Sequence, residues 1–520
     1  MADGVKPLCN MTELGAEVSG LSRELRFWGP NHGRVRRRRS AVAEMLSSLN
    51  SFRKRLPLPV RMGYGWLRRK FVPHPIWDNE YFKRYYQWLQ ETQWWSRDQL
   101  EEYQLEQLRA LVQHAYENVP YYQRVFDERR LKPEDISTLD DLQKIPFLTK
   151  EDVGNNLEDL IARNIDRERL LYETTAGSTG EPLGVYHDKH TTHLREWAFH
   201  FRQWGWAGYR FGDRFVTLRG GLIIRLERNG TRACWDYTTE NNELVLSSVD
   251  MSEENMYKYV ELIREFEPRF MYVYPSSAEI LSRFMRRNGV SDIRVDAILC
   301  DAETLYPRVR ELIESQFGCK VFDHYGQTEF VADAVECEQH EGYHVNMEYG
   351  ILELVDSDGE PITEAGILGR VVGTGFGNYC TPLLRYSMDD LAVYASGKCS
   401  CKIDTALIQE FKGRTGEFIV SKTGKLVPLV FVSAPIWGKI REFKFIQERE
   451  GELIAKVVKV PSFSETEIAQ EFLKEFYKRL DEEEFSIKIE FVDQLSRTHR
   501  GKLGLLEQKI PIRFEDLDRG

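Results

Sequence analysis

Apolar residues recur at intervals of three and four in LEEYQLEQLRALVQHAYENV (100–119), which predicts an amphipathic helix within a helical region over residues 78–130. The asparagine and the proline of NVPYY are expected to end that helix. Between residues 166 and 330, short apolar runs alternate with stretches of helical period. The runs that predict buried strands are RFVTLRGG, RFMYVYP, VDAILC and CKVFDHYG, and the helical stretches are ENMYKYVELIREF and YPRVRELIESQF. This alternation is typical of an α/β domain.

The pattern changes after residue 345. Short strands and turns over residues 345–395 predict a small β-rich subdomain. EFKFIQEREGELIAKVVKV predicts a hairpin that turns at Glu450 and Gly451, and the serine and acidic residues at 464–467 are expected to cap a helix with apolar positions every four residues. FSIKIEFV closes the segment as another alternating strand. We therefore predict a small α+β domain, joined to the main body near FKGRTGE (411–417).

Composition supports a globular protein with more than one domain. The chain has 520 residues, of which 42% are hydrophobic and 29% charged, and a single domain holds about 100–200 residues. We predict an N-terminal extension (1–75), a large domain (76–413) and a C-terminal domain (414–520). No apolar run approaches the roughly 18 residues of a membrane span, and the first thirty residues lack the pattern of a secretory signal, so we expect a cytoplasmic protein.

The net charge of −11 conceals a basic N-terminus. Residues 1–72 hold 15 Lys and Arg against 5 Asp and Glu, with the clearest basic runs in VRRRRS (35–40) and FRKRLPLPVRMGYGWLRRKF (52–71). Such a segment is either a solvated extension or a peripheral contact with an anionic membrane surface or nucleic acid. The acidic remainder argues against nucleic acid as the main partner.

Eight cysteines are too few for a disulfide scaffold in a chain of this length. Those that stand alone are expected to be ordinary buried thiols: Cys9, Cys234, Cys300, Cys319 and Cys380. Cys399 and Cys401 form a C-x-C pair, and Cys337 precedes His340 and His344 closely. A folded domain could bring these two groups together as a tetrahedral zinc site, or they are two unrelated turns with reduced cysteines.

The stretch TTAGSTGEP (174–182) is too small and polar to fill a core. Its glycines allow the backbone to approach a ligand, and its amides and hydroxyls can bind phosphate oxygens. It is not a Walker P-loop, because no lysine follows the second glycine and Glu181 stands there instead. The alternative is a surface loop without a ligand.

Further short motifs follow this loop in a definite order. They are HYGQTE (324–329), LLRYSMDDLAVY (383–394), KGRTGE (412–417) and RTHRGKLGLL (497–506). This series resembles the adenylate-forming ligases, and within them the branch of phenylacetate–CoA ligase and the CapK-type proteins of capsular polysaccharide systems. Three longer segments also resemble sequences of this branch: QLEQLRALVQHAYENVPYYQRVF, LDDLQKIPFLTKEDV and GSTGEPLGVYHD. The resemblance covers roughly residues 80–510 and leaves the basic extension outside it.

The resemblance implies a fold and a reaction. The large domain (76–413) would be the adenylate-forming domain, of mixed sheets packed with helices, and residues 414–520 would be a mobile lid. Members of this family use ATP and Mg²⁺ to convert a carboxylate into an acyl-adenylate with release of pyrophosphate. They then transfer the acyl group to a thiol, such as coenzyme A or a carrier protein, or to an amine.

The resemblance also assigns roles to residues of this chain. The residues expected to hold the phosphates are Thr174, Thr175, Gly177, Ser178, Thr179 and Gly180. Those expected to bind adenosine are Ala302, Glu303, Asp323, Tyr325, Gly326, Gln327, Asp390 and Arg414, with Tyr325 on the adenine and Asp390 on the ribose. Thr328 and Glu329 would meet the α-phosphate and its Mg²⁺, and Lys502 would reach the reacting groups from the lid.

Two positions depart from the family pattern. Asp389 replaces the glycine expected before Asp390, which leaves open which acid binds the ribose, and Gly416 and Glu417 stand at the hinge where an aspartate is usual. For the metal, the resemblance implies a structural zinc ion held by Cys337, His344, Cys399 and Cys401, with His340 as the alternative ligand.

The substrate is left open by the sequence. By analogy, the acyl group is expected to contact residues within 200–210, 218–221 and 271–277, whose aromatic side chains suit an aromatic or a polar acid equally well. Two other functions are an acyl-transfer component of a larger complex and a non-catalytic scaffold tethered to a membrane by the basic arm. An oligomer is compatible with all three.

Overall fold

The computed structural model describes residues 56–174, 183–219, 234–248, 251–414, 418–428, 436, 439–477, 480–497, 503–510 and 512. Its α-helices are α1 (Leu58–Phe71), α2 (Glu80–Thr92), α3 (Arg97–Asn118), α4 (Pro120–Arg129), α5 (Lys150–Asn155), α6 (Thr192–Trp206), α7 (Glu253–Phe266), α8 (Pro275–Arg287), α9 (Pro307–Phe317) and α10 (Glu465–Phe476).

The strands of the first half of the chain are β1 (Leu170–Thr174), β2 (Gly184–Asp188), β3 (Phe215–Arg219), β4 (Trp235–Thr238), β5 (Glu243–Ser247), β6 (Phe270–Val273), β7 (Ala297–Asp301), β8 (Lys320–Gly326), β9 (Asp333–Glu336) and β10 (Tyr343–Val345). The remaining strands are β11 (Gly350–Val355), β12 (Leu368–Gly375), β13 (Tyr386–Tyr394), β14 (Leu407–Arg414), β15 (Phe418–Val420), β16 (Leu426–Pro428), β17 (Ile440–Arg449), β18 (Glu452–Lys459), β19 (Ser486–Phe491) and β20 (Leu506–Gln508).

A twelve-stranded mixed sheet forms the body, in the order β11-β12-β13-β14-β10-β9-β8-β7-β6-β3-β5-β4. Strands β5, β3, β6, β7 and β8 run parallel to one another, and helices cover both of their faces. In β3, for example, Val216 and Leu218 pack with α7 and α8, whereas Phe215 faces the aromatic cluster of α2 and α6. Burial on both faces explains the continuous apolar runs, and it confirms the predicted α/β architecture.

The helical region over residues 78–130 is also confirmed. Ser96 begins α3 with a capping box to Gln99, and the helix ends at Asn118, where the chain turns extended before Pro120. Pro120 is the first residue of α4, a position where its missing N–H costs no hydrogen bond.

The β-rich segment lies where the sequence predicts it, but its strands do not form a separate sheet. Strands β11–β14 continue the large sheet as antiparallel neighbours, because the short strands β9 and β10 pair with β8 on one side and β14 on the other. Antiparallel strands can extend a parallel sheet in this way because the backbone groups at the edge of the last parallel strand find hydrogen-bond partners.

The C-terminal part of the chain forms a second sheet in the order β19-β18-β17-β20. Strands β17 and β18 pair antiparallel and turn at Glu450 and Gly451, as predicted, and Gly451 has the positive φ of +69° that this turn requires. Helix α10 covers one face of the sheet, where Phe472 and Phe476 pack against Phe443 and Phe445.

The interpretation of residues 52–71 as a solvated arm is wrong for the part of it that the structure describes. Helix α1 packs against β4 through Leu58 and Arg61, which are 3% and 1% exposed. The guanidinium of Arg61 pairs with Asp236 and lies over the ring of Trp235. The buried charge of Arg61 is therefore compensated by an acid far away in the sequence. Counting the charges of residues 52–71 alone cannot reveal such a partner. Residues 1–55 lie outside the described ranges.

In the described ranges, none of the helices combines the length and the apolar character that crossing a bilayer would require.

A buried ion pair fixes α6 to the segment between β10 and β11. Arg202 Nη1 donates to Glu348 Oε1 over 2.6 Å, and Arg202 Nη2 donates to Asn346 Oδ1 over 2.5 Å. Thr92, at the end of α2, donates a further hydrogen bond of 2.6 Å to Glu348. Arg202 and Glu348 are 3% and 1% exposed, so water could not solvate either charge if the other side chain were removed.

We expect Glu348→Gln to lower the unfolding free energy of the body by about 3 kcal/mol, since removing one partner of a buried pair leaves the other charge uncompensated. Urea unfolding followed by circular dichroism measures this. Glu364→Gln, at an exposed position, is the matched control and should leave the transition in place. An unchanged transition in Glu348→Gln would contradict the assigned importance of the pair.

Candidate functional site

A cavity of about 1310 Å³ opens where the parallel strands end. Arg219 ends β3, Asp301 ends β7 and Gly326 ends β8, and all of them line this cavity. The opposite wall comes from the C-terminal part of the chain, through Arg497 and residues 503–507. The carboxyl ends of parallel strands are the usual location of ligand sites in α/β proteins, because loops from several strands converge there.

Asp390, expected to bind ribose, lies at the outer end of this cavity. Arg414 sits opposite it on the neighbouring strand and donates from Nε to Asp390 Oδ1 over 3.0 Å. The hydroxyl of Tyr325 donates to Asp390 Oδ2, also over 3.0 Å. Asp389 lines the cavity too, but it is exposed, and the hydrogen bonds from Arg414 and Tyr325 go to Asp390. The contacts thus single out Asp390 as the positioned acid of the pair.

Tyr325 is held as a flat surface beside Asp390. Its ring stacks on Phe411 with 3.7 Å between centroids and 8° between planes, and Tyr343 packs edge-on against the same Phe411. Burial, followed by the charge of Asp390, raises the pKa of Tyr325 well above its usual range, so its hydroxyl stays a donor. The ring itself lines the cavity.

Thr328 and Glu329 follow β8 directly and line the same cavity. Glu329 accepts a hydrogen bond of 3.1 Å from the hydroxyl of Tyr386. Burial raises the pKa of Glu329, because the charged carboxylate is less well solvated there. A bound cation would stabilise the charged form.

The other residues that are expected to bind adenosine also line the cavity, but some of them form hydrogen bonds with other residues of the protein. Ala302 adopts a left-handed φ of +63° after β7, and Glu303 accepts from Ser276 N and Ser276 Oγ over 2.9 and 3.1 Å at the start of α8. Asp323 lies deeper, where Tyr343 donates to it over 2.7 Å and burial raises its pKa to about 7. Gly326 and Gln327 line the cavity between these groups.

For the predicted phosphate-binding loop, the structure describes only the residues on either side. Strands β1 and β2 pair antiparallel on either side of it, and Thr174 is the last residue of β1. The rest of the predicted loop lies outside the described residues: Thr175, Gly177, Ser178, Thr179 and Gly180. Lys502 also lies outside them, although the next residue, Leu503, is 5% exposed and lines the cavity.

At its other end the cavity runs along the sheet beneath α6. We call this part the inner chamber and define it by six lining side chains: Glu196, His200, Thr217, Arg219, Tyr272 and His324. Phe215 also lines the cavity, and the distance along β3 from Phe215 to Arg219 is about 13 Å at the usual rise of a strand. The chamber is thus deep as well as polar.

The prediction that the acyl group contacts residues 200–210 needs correction. His200 lines the cavity, but Trp204 is 1% exposed and packs in the aromatic core. The residues of α6 that line the cavity are His193, Glu196, Trp197 and His200, which are spaced three and four apart and lie mostly earlier than expected. The polar residues His193, Glu196 and His200, spaced three and four apart in the sequence, could have indicated this face. Arg219, Tyr272 and Tyr274 do line the cavity within the other two predicted segments.

The inner chamber contains paired charges. Asp301 Oδ1 lies 2.5 Å from the guanidinium of Arg219, which itself lies 4.0 Å from the ring centre of Tyr272. His324 Nε2 lies 2.5 Å from Asp333 Oδ2. Burial alone would lower the pKa of His324, but the charge and hydrogen bond of Asp333 raise it to about 9.

A second cluster lies away from this cavity, at β10. The donor atoms of Cys337, His344, Cys399 and Cys401 all lie within 4.8 Å of one another. The Sγ atoms of Cys337 and Cys399 are 3.6 Å apart, and His344 Nε2 is 3.3 Å from Cys401 Sγ. Thr405 Oγ1, 3.0 Å from His344 Nδ1, fixes the ring so that Nε2 faces the thiols. His340, the alternative ligand, is not a member of this described cluster and lies against Glu336.

Comparisons with known proteins agree with this fold. Residues 419–509 match the family model of the CapK C-terminal domain. A phenylacetate–coenzyme A ligase of Thermus thermophilus is 27% identical over 81% of this chain and 90% of its own length. A second one, from Aromatoleum evansii, is 30% identical over 57% of this chain and 67% of its own length. A crystal structure of 2-hydroxyisobutyryl-CoA ligase, in the postadenylation state with R3-HIB-AMP, superposes with a TM-score of 0.61 at 18% identity, covering 82% of this chain and 92% of that one.

The phenylacetate–coenzyme A ligases among its relatives define the class of this protein as an AMP-forming ligase, and the large mixed sheet, the smaller C-terminal sheet and the cavity that both line agree with that class. Within that class, the chain belongs to the phenylacetate–CoA ligase family.

Proposed function

We propose that this ligase activates a small carboxylic acid with ATP and Mg²⁺ and then transfers the acyl group to coenzyme A. In the first step a carboxylate oxygen attacks the α-phosphorus of ATP, and the bond to the pyrophosphate oxygen breaks. In the second step a thiolate attacks the acyl carbon and AMP leaves. The choice of coenzyme A follows the Thermus thermophilus and Aromatoleum evansii relatives, which are named as coenzyme A ligases.

The observation that carries the proposal is the convergence of four separate motifs on one cavity. Tyr325, Thr328 and Glu329 reach it from the end of β8, Asp390 from β13 and Arg414 from β14, and Arg497 and residues 503–506 of the fourth motif line it on the other side. These motifs are spread over more than 150 residues of sequence, so their meeting is a property of the fold.

Each group has a chemical role in this proposal. Asp390, held by Arg414 and Tyr325, accepts hydrogen bonds from the ribose hydroxyls, and the ring of Tyr325 provides a stacking surface for adenine. Thr328 donates to the α-phosphate and Glu329 is the carboxylate ligand for Mg²⁺, a hard cation that prefers oxygen. Backbone amides and hydroxyls of the 174–182 loop hold the outer phosphates. The ammonium of Lys502 offsets the negative charge that develops in the transition state.

We expect Lys502→Ala to lower carboxylate-dependent exchange of pyrophosphate into ATP by about a hundredfold or more while ATP binding stays near normal, because the lysine acts on charge that develops in the transition state. Asp390→Asn should show the opposite pattern and weaken ATP binding itself. Exchange assays and calorimetric titration with ATP measure the two effects.

Lys509→Ala is the matched control for Lys502, since Lys509 pairs with Glu448 on the surface and does not line the cavity. Unchanged exchange in Lys502→Ala would refute its assignment. If no acid in a broad panel supports exchange, the ligase proposal fails and a non-catalytic scaffold or a component of a larger complex takes its place.

The cluster of Cys337, His344, Cys399 and Cys401 suits a structural zinc ion. Tetrahedral zinc binds thiolates at about 2.3 Å and imidazole at about 2.0 Å, which places donor atoms between three and four ångströms apart, the range of the two distances described above. Three sulfurs and one nitrogen leave no open position for a reactant, so the ion would hold β10 to the loop before β14 and take no part in the reaction.

We expect elemental analysis to find about one zinc per chain, and expect Cys399→Ser with Cys401→Ser to lose it and to melt at a lower temperature, because metal binding contributes to folding. Cys319→Ser, at a cysteine outside the cluster, should keep the metal. A metal-free native protein would rule the site out.

We further propose that the basic N-terminus contacts an anionic membrane surface. Helix α1 buries one side against β4 and exposes Val60, Trp66, Leu67 and Phe71 on the other, and Trp66 is 57% exposed. Lys70 lies over the ring of Trp66, and the basic run of residues 52–55 directly precedes the helix. An apolar helix face flanked by basic residues suits the interface of a bilayer with anionic head groups.

We expect the protein to sediment with vesicles that contain phosphatidylserine and not with pure phosphatidylcholine, and expect the binding to fall with added salt because exposed charges are screened. Trp66→Glu should reduce binding about tenfold or more. Trp94→Glu is the matched control, since Trp94 is equally exposed but lies outside α1. Equal binding to both kinds of vesicle, or none, would contradict the proposal.

A further inference from the structure

The charged side chains in and beside the inner chamber already have polar partners in the described part of the chain. Arg219 is paired with Asp301, and His324 is paired with Asp333. Glu243, farther along the chamber, accepts hydrogen bonds from Thr217, Thr238 and Asn241 over 2.6, 2.8 and 2.9 Å. A ligand that brought a further negative charge into this space would leave that charge buried and without a counterion, because Arg219 and His324 are already paired.

Some polar atoms of the chamber wall are nevertheless free to form further hydrogen bonds. Within the described residues, the buried atoms His200 Nδ1, His324 Nδ1 and Arg219 Nε have no hydrogen-bond partner. Buried polar groups are satisfied in almost all native proteins, so unsatisfied groups at a cavity wall indicate a polar ligand or water that completes them. A hydrocarbon chain in the same place would leave them unpaired.

Two of the lining groups can both donate and accept. Burial, followed by the charge of Asp333, raises the pKa of Glu196 to about 8, so that this carboxyl holds its proton at neutral pH. Burial lowers the pKa of His200 well below its usual range, and the nearby charge of His324 lowers it further, so its ring is neutral. A hydroxyl group, which also donates and accepts, is complementary to both.

We propose that the inner chamber selects carboxylic acids whose acyl chain carries hydroxyl groups, over the corresponding hydrocarbon acids such as phenylacetate. This inference rests on the proposed function, because the carboxylate must point to Thr328 and Glu329 for the rest of the acid to enter the chamber. The neutral donors and acceptors of Glu196, His200 and Thr217 then contact the hydroxyls, and the paired charges of Arg219 and His324 disfavour acids that carry an additional carboxylate.

The test is pyrophosphate exchange with acids matched in carbon skeleton. One series is hexanoate, gluconate and adipate, and the other is phenylacetate with its mono- and dihydroxylated analogues. In at least one series we expect kcat/KM for a hydroxylated acid to exceed that for its hydrocarbon parent about a hundredfold or more, since a site built to bind a hydroxyl discriminates strongly against the analogue that lacks it.

Variants connect the preference to the chamber. We expect His200→Leu to reduce the preference for the hydroxylated acid about tenfold or more, with ATP binding unchanged. His114→Leu is the matched control, since His114 is half-buried, bonds to the carbonyl of Tyr379 and does not line the cavity. Thr217→Val, which removes a hydroxyl at nearly constant size, serves as the second variant if His200→Leu does not fold.

The outcomes separate this inference from the function on which it depends. If hydrocarbon or dicarboxylic acids exchange as well as the hydroxylated ones, or if His200→Leu and Thr217→Val both keep the preference, the inference is overturned and the ligase function stands. If ATP binds but no acid of any kind supports exchange, the proposed function itself fails.

Discussion

The carboxyl ends of β3, β6, β7 and β8 lie together at one edge of the sheet, and the organisation of the site depends on this constraint. Parallel pairing in register gives each strand the same direction, so the residues that follow the strands are brought to one place whatever their separation in sequence. Arg219, Asp301 and Thr328 meet there for this reason. The C-terminal sheet only has to cover that edge to enclose a cavity.

Helix α6 connects the stability of the body to the chemistry of the cavity. Arg202 anchors the helix to Glu348 and Asn346, and Asn346 in turn donates to Asp333, the partner of His324. Two residues earlier the same helix presents His200 to the inner chamber. A continuous set of buried hydrogen bonds therefore leads from the core to the wall of the cavity, where low polarisability makes each of its members costly to displace.

Local pattern was enough for most elements. The period of the apolar residues in α3, the apolar run of β8 and the turn at Gly451 lie where the sequence predicts them, because each depends on neighbours within a few residues. The interpretation of residues 52–71 as a solvated extension failed for helix α1, because Asp236, the partner of Arg61, is 175 residues away. The side of α6 that faces the cavity was misplaced because an amphipathic pattern does not tell a core from a cavity.

The sequence by itself determined the α/β class, the order of the motifs and the family to which they belong, since all of these are written in residues close to one another along the chain. Only the tertiary structure decided which residues meet. Cys337 and Cys399 are 62 positions apart and their sulfurs are 3.6 Å apart, and Asp390 rather than Asp389 holds Arg414. Distances of this kind depend on strand order and register, which arise from pairing across the whole sheet, and a linear pattern contains no record of that pairing.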